Sequence, residues 1–137
     1  MSKNIKSSDL HKIWSAPDNS RLIPKQISIR LPVHVAAKIY ALEEIYPTKS
    51  RTQIIGDLLS TALDDLEDSL PSVKGQKTGE IPPEYSVSGE FTETYEDIGM
   101  RNRFLKLFSR HLKAIEEQLG NNDFDTKYFS EFHNDEV

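Results

Sequence analysis

The chain has 137 residues, enough for one ordinary domain or a small domain with attachments. Only 36% are hydrophobic and none is cysteine, so part of the chain is expected to lack a core of its own, and disulfides, thiolate metal sites and cysteine nucleophiles are excluded. The formal charge of −5 is unevenly spread: residues 1–55 carry nine Lys or Arg against four Asp or Glu, residues 56–100 two against eleven, and residues 101–137 six against seven, so overall acidity does not exclude an anionic ligand for the first part.

Residues 1–24 read as a flexible basic arm, with Lys3, Lys6, Lys12 and Arg21 and room for a short helical turn in SSDLHKIW. Trp14 is the only tryptophan and needs apolar surface to cover it. MSKNIKSSDLHKIW has no apolar stretch suited to a signal peptide, and no run approaches a membrane span, so a cytoplasmic, nucleoid-associated protein with no membrane partner is expected.

Residues 25–70 are the best-patterned stretch. In KQISIRLP, Ile27, Ile29 and Leu31 alternate with Gln26, Ser28 and Arg30, the pattern of a strand with one buried face. Pro32 then suits a helix start. Val35, Ile39, Leu42 and Tyr46 step by four, three and four along one helical face, and Pro47 stops that helix. Ser50-Arg51-Thr52-Gln53 fits a capping box. Behind it Ile55, Leu58, Ala62 and Leu66, flanked by Ile54, Leu59 and Leu63, make a stripe wide enough to be buried on more than one side. Gly56 costs this helix up to about 1 kcal/mol relative to Ala.

A lone strand leaves its backbone unpaired, and one strand with two helices makes a small core. A second copy of the chain answers both needs: the two strands pair antiparallel and four helices close over the ribbon. The expected dimer core is Ile27, Ile29, Leu31, Val35, Ile39, Leu42, Ile55, Leu58, Leu59 and Ala62. The outer face then displays Gln26, Ser28 and Arg30 twice, residue types that suit base-edge readout by a ribbon in the major groove. The free amides at the start of the second helix, with Lys25, Lys49, Ser50, Arg51 and Thr52, suit phosphate contact.

KQISIRLP followed by SRTQIIGDLLSTAL closely resembles the ribbon-helix-helix family of bacterial and phage repressors. The resemblance covers roughly a third of the chain. It implies a mainly α fold, an intertwined dimer with one short strand and two helices per chain, and here an extra C-terminal helix. It also implies double-stranded DNA as partner, base reading by Gln26, Ser28 and Arg30, and backbone anchoring at Ser50, Arg51 and Thr52.

Residues 71–94 hold three of the seven prolines and three of the six glycines and read as a linker, with a weak hairpin pattern in EYSVSGEFTETY. Residues 95–119 read as an amphipathic helix in which Leu105, Phe108, Leu112, Ile115 and Leu119 step by three and four, a seam for oligomerisation or partner binding. Residues 120–137 read as an acidic, aromatic tail. The expected function is a sequence-specific transcriptional regulator, a homodimer that the seam joins into a tetramer on DNA. The alternative is an antitoxin that represses through the same domain and wraps a toxin with its tail. The four histidines lack metal-ligand spacing, and no glycine-rich phosphate loop or G-x-S-x-G is present. No catalytic residue, cofactor or metal site is expected.

Overall fold

The structure, a computed structural model, describes residues 6–15, 21–87 and 89–133. The chain divides into two compact units, Met1–Leu66 and Glu67–Val137.

In the first unit, a 3-10 turn at Ser7–Asp9 leads into the short helix α1 (Leu10–Trp14). Helix α2 (Val33–Ile45) follows Pro32, and helix α3 (Arg51–Ser69) crosses the unit boundary in its last turn. Helix α2 ends at Ile45, two residues before Pro47, because a residue preceding proline is pushed out of the helical region. Ser50 caps α3: its Oγ accepts the Gln53 amide at 3.0 Å. The core is Leu10, Trp14, Ile39 and Ile54, with Ile13, Leu31, Val35, Leu42, Tyr46, Ile55 and Leu58 packed around it. Residues 7–14, expected as part of an arm, thus supply two of the four buried apolar side chains among the described residues. Trp14 meets Tyr46 edge-on at 5.0 Å, and its indole N–H donates to Asp57 Oδ2 at 2.7 Å. Ser7 and Thr61 share a hydroxyl hydrogen bond of 2.9 Å.

In the second unit, strands β1 (Lys74–Ile81), β2 (Thr92–Asp97) and β3 (Glu131–His133) form an antiparallel sheet in the order β1-β2-β3. β1 and β2 pair from Lys74 opposite Asp97 to Ile81 opposite Thr92, with two irregularities, and β2 pairs Glu96 with Glu131. Gly75 lies so close to Glu96 that a Cβ there would stand 2.8 Å from its carbonyl oxygen. Helix α4 (Met100–Gln118) follows β2 directly. It ends on Gly120 at φ +90°, where the Asn121 amide bonds the Glu116 carbonyl and the Gly120 amide that of Glu117, a left-handed cap that satisfies the last carbonyls.

These elements correct the sequence reading of fold class. The chain is a mixed fold, with four helices and a three-stranded antiparallel sheet among the described residues, and not a mainly α ribbon-helix-helix chain with one strand. None of the three strands lies at residues 25–32. Where a linker was expected over 71–94, β1 and the start of β2 form a hairpin, and residues 95–97 belong to β2 and not to the helix. Part of the expected tail supplies β3. The physical reason is that this sheet turns threonines inward: Thr92 and Thr94 are buried, which hydropathy alternation does not register.

Candidate nucleic-acid interface

Residues 26–31 carry the alternating run but no regular structure, and among the described residues none of their backbone groups is hydrogen-bonded. Gln26, Ser28 and Arg30 are exposed, as is Lys25. Their apolar neighbours are exposed too: Ile27 to 74% and Ile29 to 65%. Leu31 alone of the alternating set packs against the core.

The wide stripe on α3 divides in two. Ile54 and Thr61 are buried and Leu58 packs against the core, so this face closes the unit's own interior. Leu59, Leu63 and Leu66 are each 51% exposed, and Ala62 is exposed beside them. Between the 23–31 segment and the two long helices runs a groove of ≈ 830 Å³ lined by Ile27, Ile29, Ile39, Ile55 and Leu59 among others. Gly56 also lines it, and a Cβ there would meet nothing within 4 Å. The residues assigned to a dimer core therefore fall into two sets. Val35, Ile39, Leu42, Ile55 and Leu58 serve the single chain with Leu31, whereas Ile27, Ile29, Leu59 and Ala62 are left open by it.

At the start of α3, the amides of Arg51 and Thr52 have no partner among the described residues. Thr52 is exposed and Lys49 half-buried nearby. Arg51 is engaged: its Nε donates to Glu43 Oε1 at 2.6 Å, and its guanidinium lies 5.2 Å from the Tyr40 ring centroid. The Arg51 hydrogen bond holds the Glu43 carboxyl below the usual carboxylate range. A phosphate at this helix start thus has two free amides to meet, but Arg51 has Glu43 as a competitor.

The seam proposed for oligomerisation is mixed. Leu105, Leu112 and Ile115 are half-buried, Phe108 stacks on Tyr128 at 5.3 Å, and Leu119 is 41% exposed. The fully buried positions of α4 are Asn102, Ser109 and Glu116, which sequence reasoning missed. Each anchors the returning chain. Asn102 Oδ1 accepts the Ser130 amide at 2.9 Å, Ser109 Oγ the Tyr128 amide at 2.7 Å, and Glu116 Oε2 the Asn121 side-chain amide at 3.1 Å. Their spacing of seven was the available signal. Asp97 is equally buried and accepts from Ser130 Oγ at 2.6 Å, the Val73 amide at 2.9 Å and the Gly99 amide at 2.8 Å. Burial pushes its carboxyl up, but bonds from Ser130, Val73, Gly99 and Ser72 outweigh that and hold it below its ordinary value.

No protein-family model, curated protein or solved structure matches the chain. Among the described residues no cluster of His, Asp and Glu is placed to hold a metal ion, and no helix is long and apolar enough to cross a membrane.

Proposed function

We propose that the protein is a homodimeric, sequence-specific DNA-binding regulator. Residues 25–31 of two copies pair antiparallel, and the ribbon presents Gln26, Ser28 and Arg30 from each to the major groove. The observation that carries this reading is the pairing of two unmet needs in one place. Ile27 and Ile29 are exposed on a segment with unpaired backbone, beside a groove bordered by the exposed Leu59. A second copy of the segment meets both, since its own amides, carbonyls and isoleucines are the complement. The resemblance of residues 25–70 to ribbon-helix-helix repressors supports the same reading, and it concerns that stretch and not the fold of the whole chain. The free amides of Arg51 and Thr52 then take a phosphate, and Arg51 exchanges Glu43 for the DNA backbone. Pairing of dimers through Leu105, Phe108, Leu112, Ile115 and Leu119 is the corresponding proposal for longer operators.

The antitoxin alternative has weaker support. It needs the aromatic residues of the C-terminal segment free for a toxin, but Tyr128 stacks on Phe108 and Phe132 packs edge-on against Tyr95.

The test is selection of bound genomic fragments, followed by comparison of wild type with Arg30→Ala on the selected operator and on random DNA. A bidentate arginine–guanine pair carries about 1–3 kcal/mol of discrimination, so a loss of roughly tenfold or more on the operator with little change on random DNA is expected. Equal loss on both sequences removes Arg30 from base reading, and no selected fragment at all sinks the function.

A further inference from the structure

We propose that the cleft between α4 and residues 125–129 binds a small amphipathic organic anion, an acyl or aromatic body carrying a carboxylate, sulfonate or phosphate. The cleft measures ≈ 410 Å³, the scale of a small-molecule site. One wall is a face of α4, where Lys106, Arg110 and Lys113 recur at helical spacing around Ser109. The other is the returning chain, with Lys127 and Phe129.

Three features define the ligand. First, the walls are fixed. Ser109 Oγ accepts the Tyr128 amide and donates to the Leu105 carbonyl at 2.9 Å, and Tyr128 stacks on Phe108, so the segment is pinned to the helix in the middle of the site. Second, the lining is mostly carbon although several of its residues are basic, the combination expected where lysine and arginine present their hydrocarbon stems to a cleft and their charged ends to water. Phe129, 61% exposed, adds an aromatic ring to that surface. Third, the charge is lopsided. Lys106, Arg110, Lys113 and Lys127 face one acid, Asp125, which sits 3.6 Å from Lys113. Lys106, Arg110 and Lys127 have no ion pair among the described residues. An excess of three positive charges thus gathers around an apolar cleft in a chain of net charge −5.

A small inorganic anion meets the charges and leaves the carbon walls wet. A neutral apolar molecule fills the walls and leaves the cations uncompensated. A nucleic-acid backbone reaches the rim and leaves the floor empty. An apolar body with one anionic end matches walls and rim together. The inference stands on the second unit alone, so it holds or fails independently of DNA binding.

The experiment is isothermal titration of the full chain with decanoate below its micelle concentration, with decanol and inorganic phosphate as the body and the charge alone. Saturable one-to-one binding of decanoate is expected, with decanol and phosphate at least tenfold weaker. Lys106→Glu combined with Arg110→Glu lowers decanoate affinity at least tenfold and leaves the thermal melt unchanged. Should that pair fail to fold, Lys127→Glu on the opposite wall carries the same expectation. The proposal is overturned by absence of saturable decanoate binding, by equal binding of decanol or of phosphate, by unchanged affinity in the folded variant, or by displacement of decanoate by random duplex DNA.

Discussion

The two units differ in what they bury: the first buries both apolar side chains and the polar Gln53 and Thr61, the second polar ones. In Met1–Leu66 the centre is Leu10, Trp14, Ile39 and Ile54, closed by helices whose apolar residues recur at helical spacing. In Glu67–Val137 every buried side chain among the described residues is polar: Thr92, Thr94, Asp97, Asn102, Ser109 and Glu116. The first is held by removal of apolar surface from water, which is non-directional and roughly proportional to area. The second depends on directed hydrogen bonds, whose net gain is modest while they are made and whose loss is expensive when a donor is left buried. A unit of the first kind is most sensitive to lost apolar volume, and one of the second kind to a lost hydrogen-bonding group.

Substitution sets this contrast against measurement. The largest effect is expected from Asp97→Ala, which removes the buried carboxylate that the part-buried Val73 and Gly99 amides and the Ser130 hydroxyl donate to. At up to about 1–3 kcal/mol for each donor that water does not reach, the loss is a large fraction of the stability of a small domain. Amide exchange should show protection lost across 74–133 and retained in α2; loss in both units, or in neither, breaks the contrast. The acid limb follows from the same residue. Its folded pKa lies below the unfolded value near 3.8, so its contribution is complete above that pH and disappears as pH falls through the folded pKa. Trp14→Ala comes next, at about 3–5 kcal/mol, acting on the first unit alone and read from the exchange of α2 and α3 amides. The smallest effect sharpens the comparison within one helix. Ser109→Ala leaves the Tyr128 amide unpaired and should cost about 1–3 kcal/mol, more than Leu107→Ala, whose side chain is already 39% exposed. A larger cost at Leu107, measured by denaturant melts of the two variants, would falsify the view that polar anchoring governs this unit.

Legibility in the sequence follows the same division. Helices α2 and α3 were readable because apolar spacing, Pro32, Pro47 and the Ser50 cap all point to the same boundaries. The width of the α3 stripe predicts burial on more than one side, but in the chain only the Ile54 and Leu58 side is covered, and Leu59, Leu63 and Leu66 stay 51% exposed, a division nothing in the spacing marks. Trp14 announced a need for cover, but its partner Asp57 lies 43 residues away, beyond any local pattern. The hairpin and the returning C-terminal strand were hidden, because KGQKTGEI has no apolar alternation and β2 turns threonines inward. On α4 the eye goes to Leu105, Phe108, Leu112, Ile115 and Leu119, and the buried series Asn102, Ser109, Glu116 reads as solvent face until its hydrogen bonds are known. The candidate interface residues were all nameable beforehand, but the engagement of Arg51 by Glu43 was not, since an ion pair eight residues apart across a turn has no signature.

The central functional claim is that residues 25–31 find their partner in a second copy of themselves, and the absence of cysteine makes it directly testable. In an antiparallel ribbon centred on the 26–30 run, Ser28 lies opposite its own copy, within the Cα separation that a disulfide spans. Ser28→Cys, oxidised at low micromolar concentration, is expected to run as a covalent dimer on a non-reducing gel, while Glu84→Cys under the same conditions stays monomeric. A Ser28→Cys chain that stays monomeric while its thiol reacts freely with a maleimide contradicts the pairing, and with it the reading of Gln26, Ser28 and Arg30 as a DNA-facing ribbon.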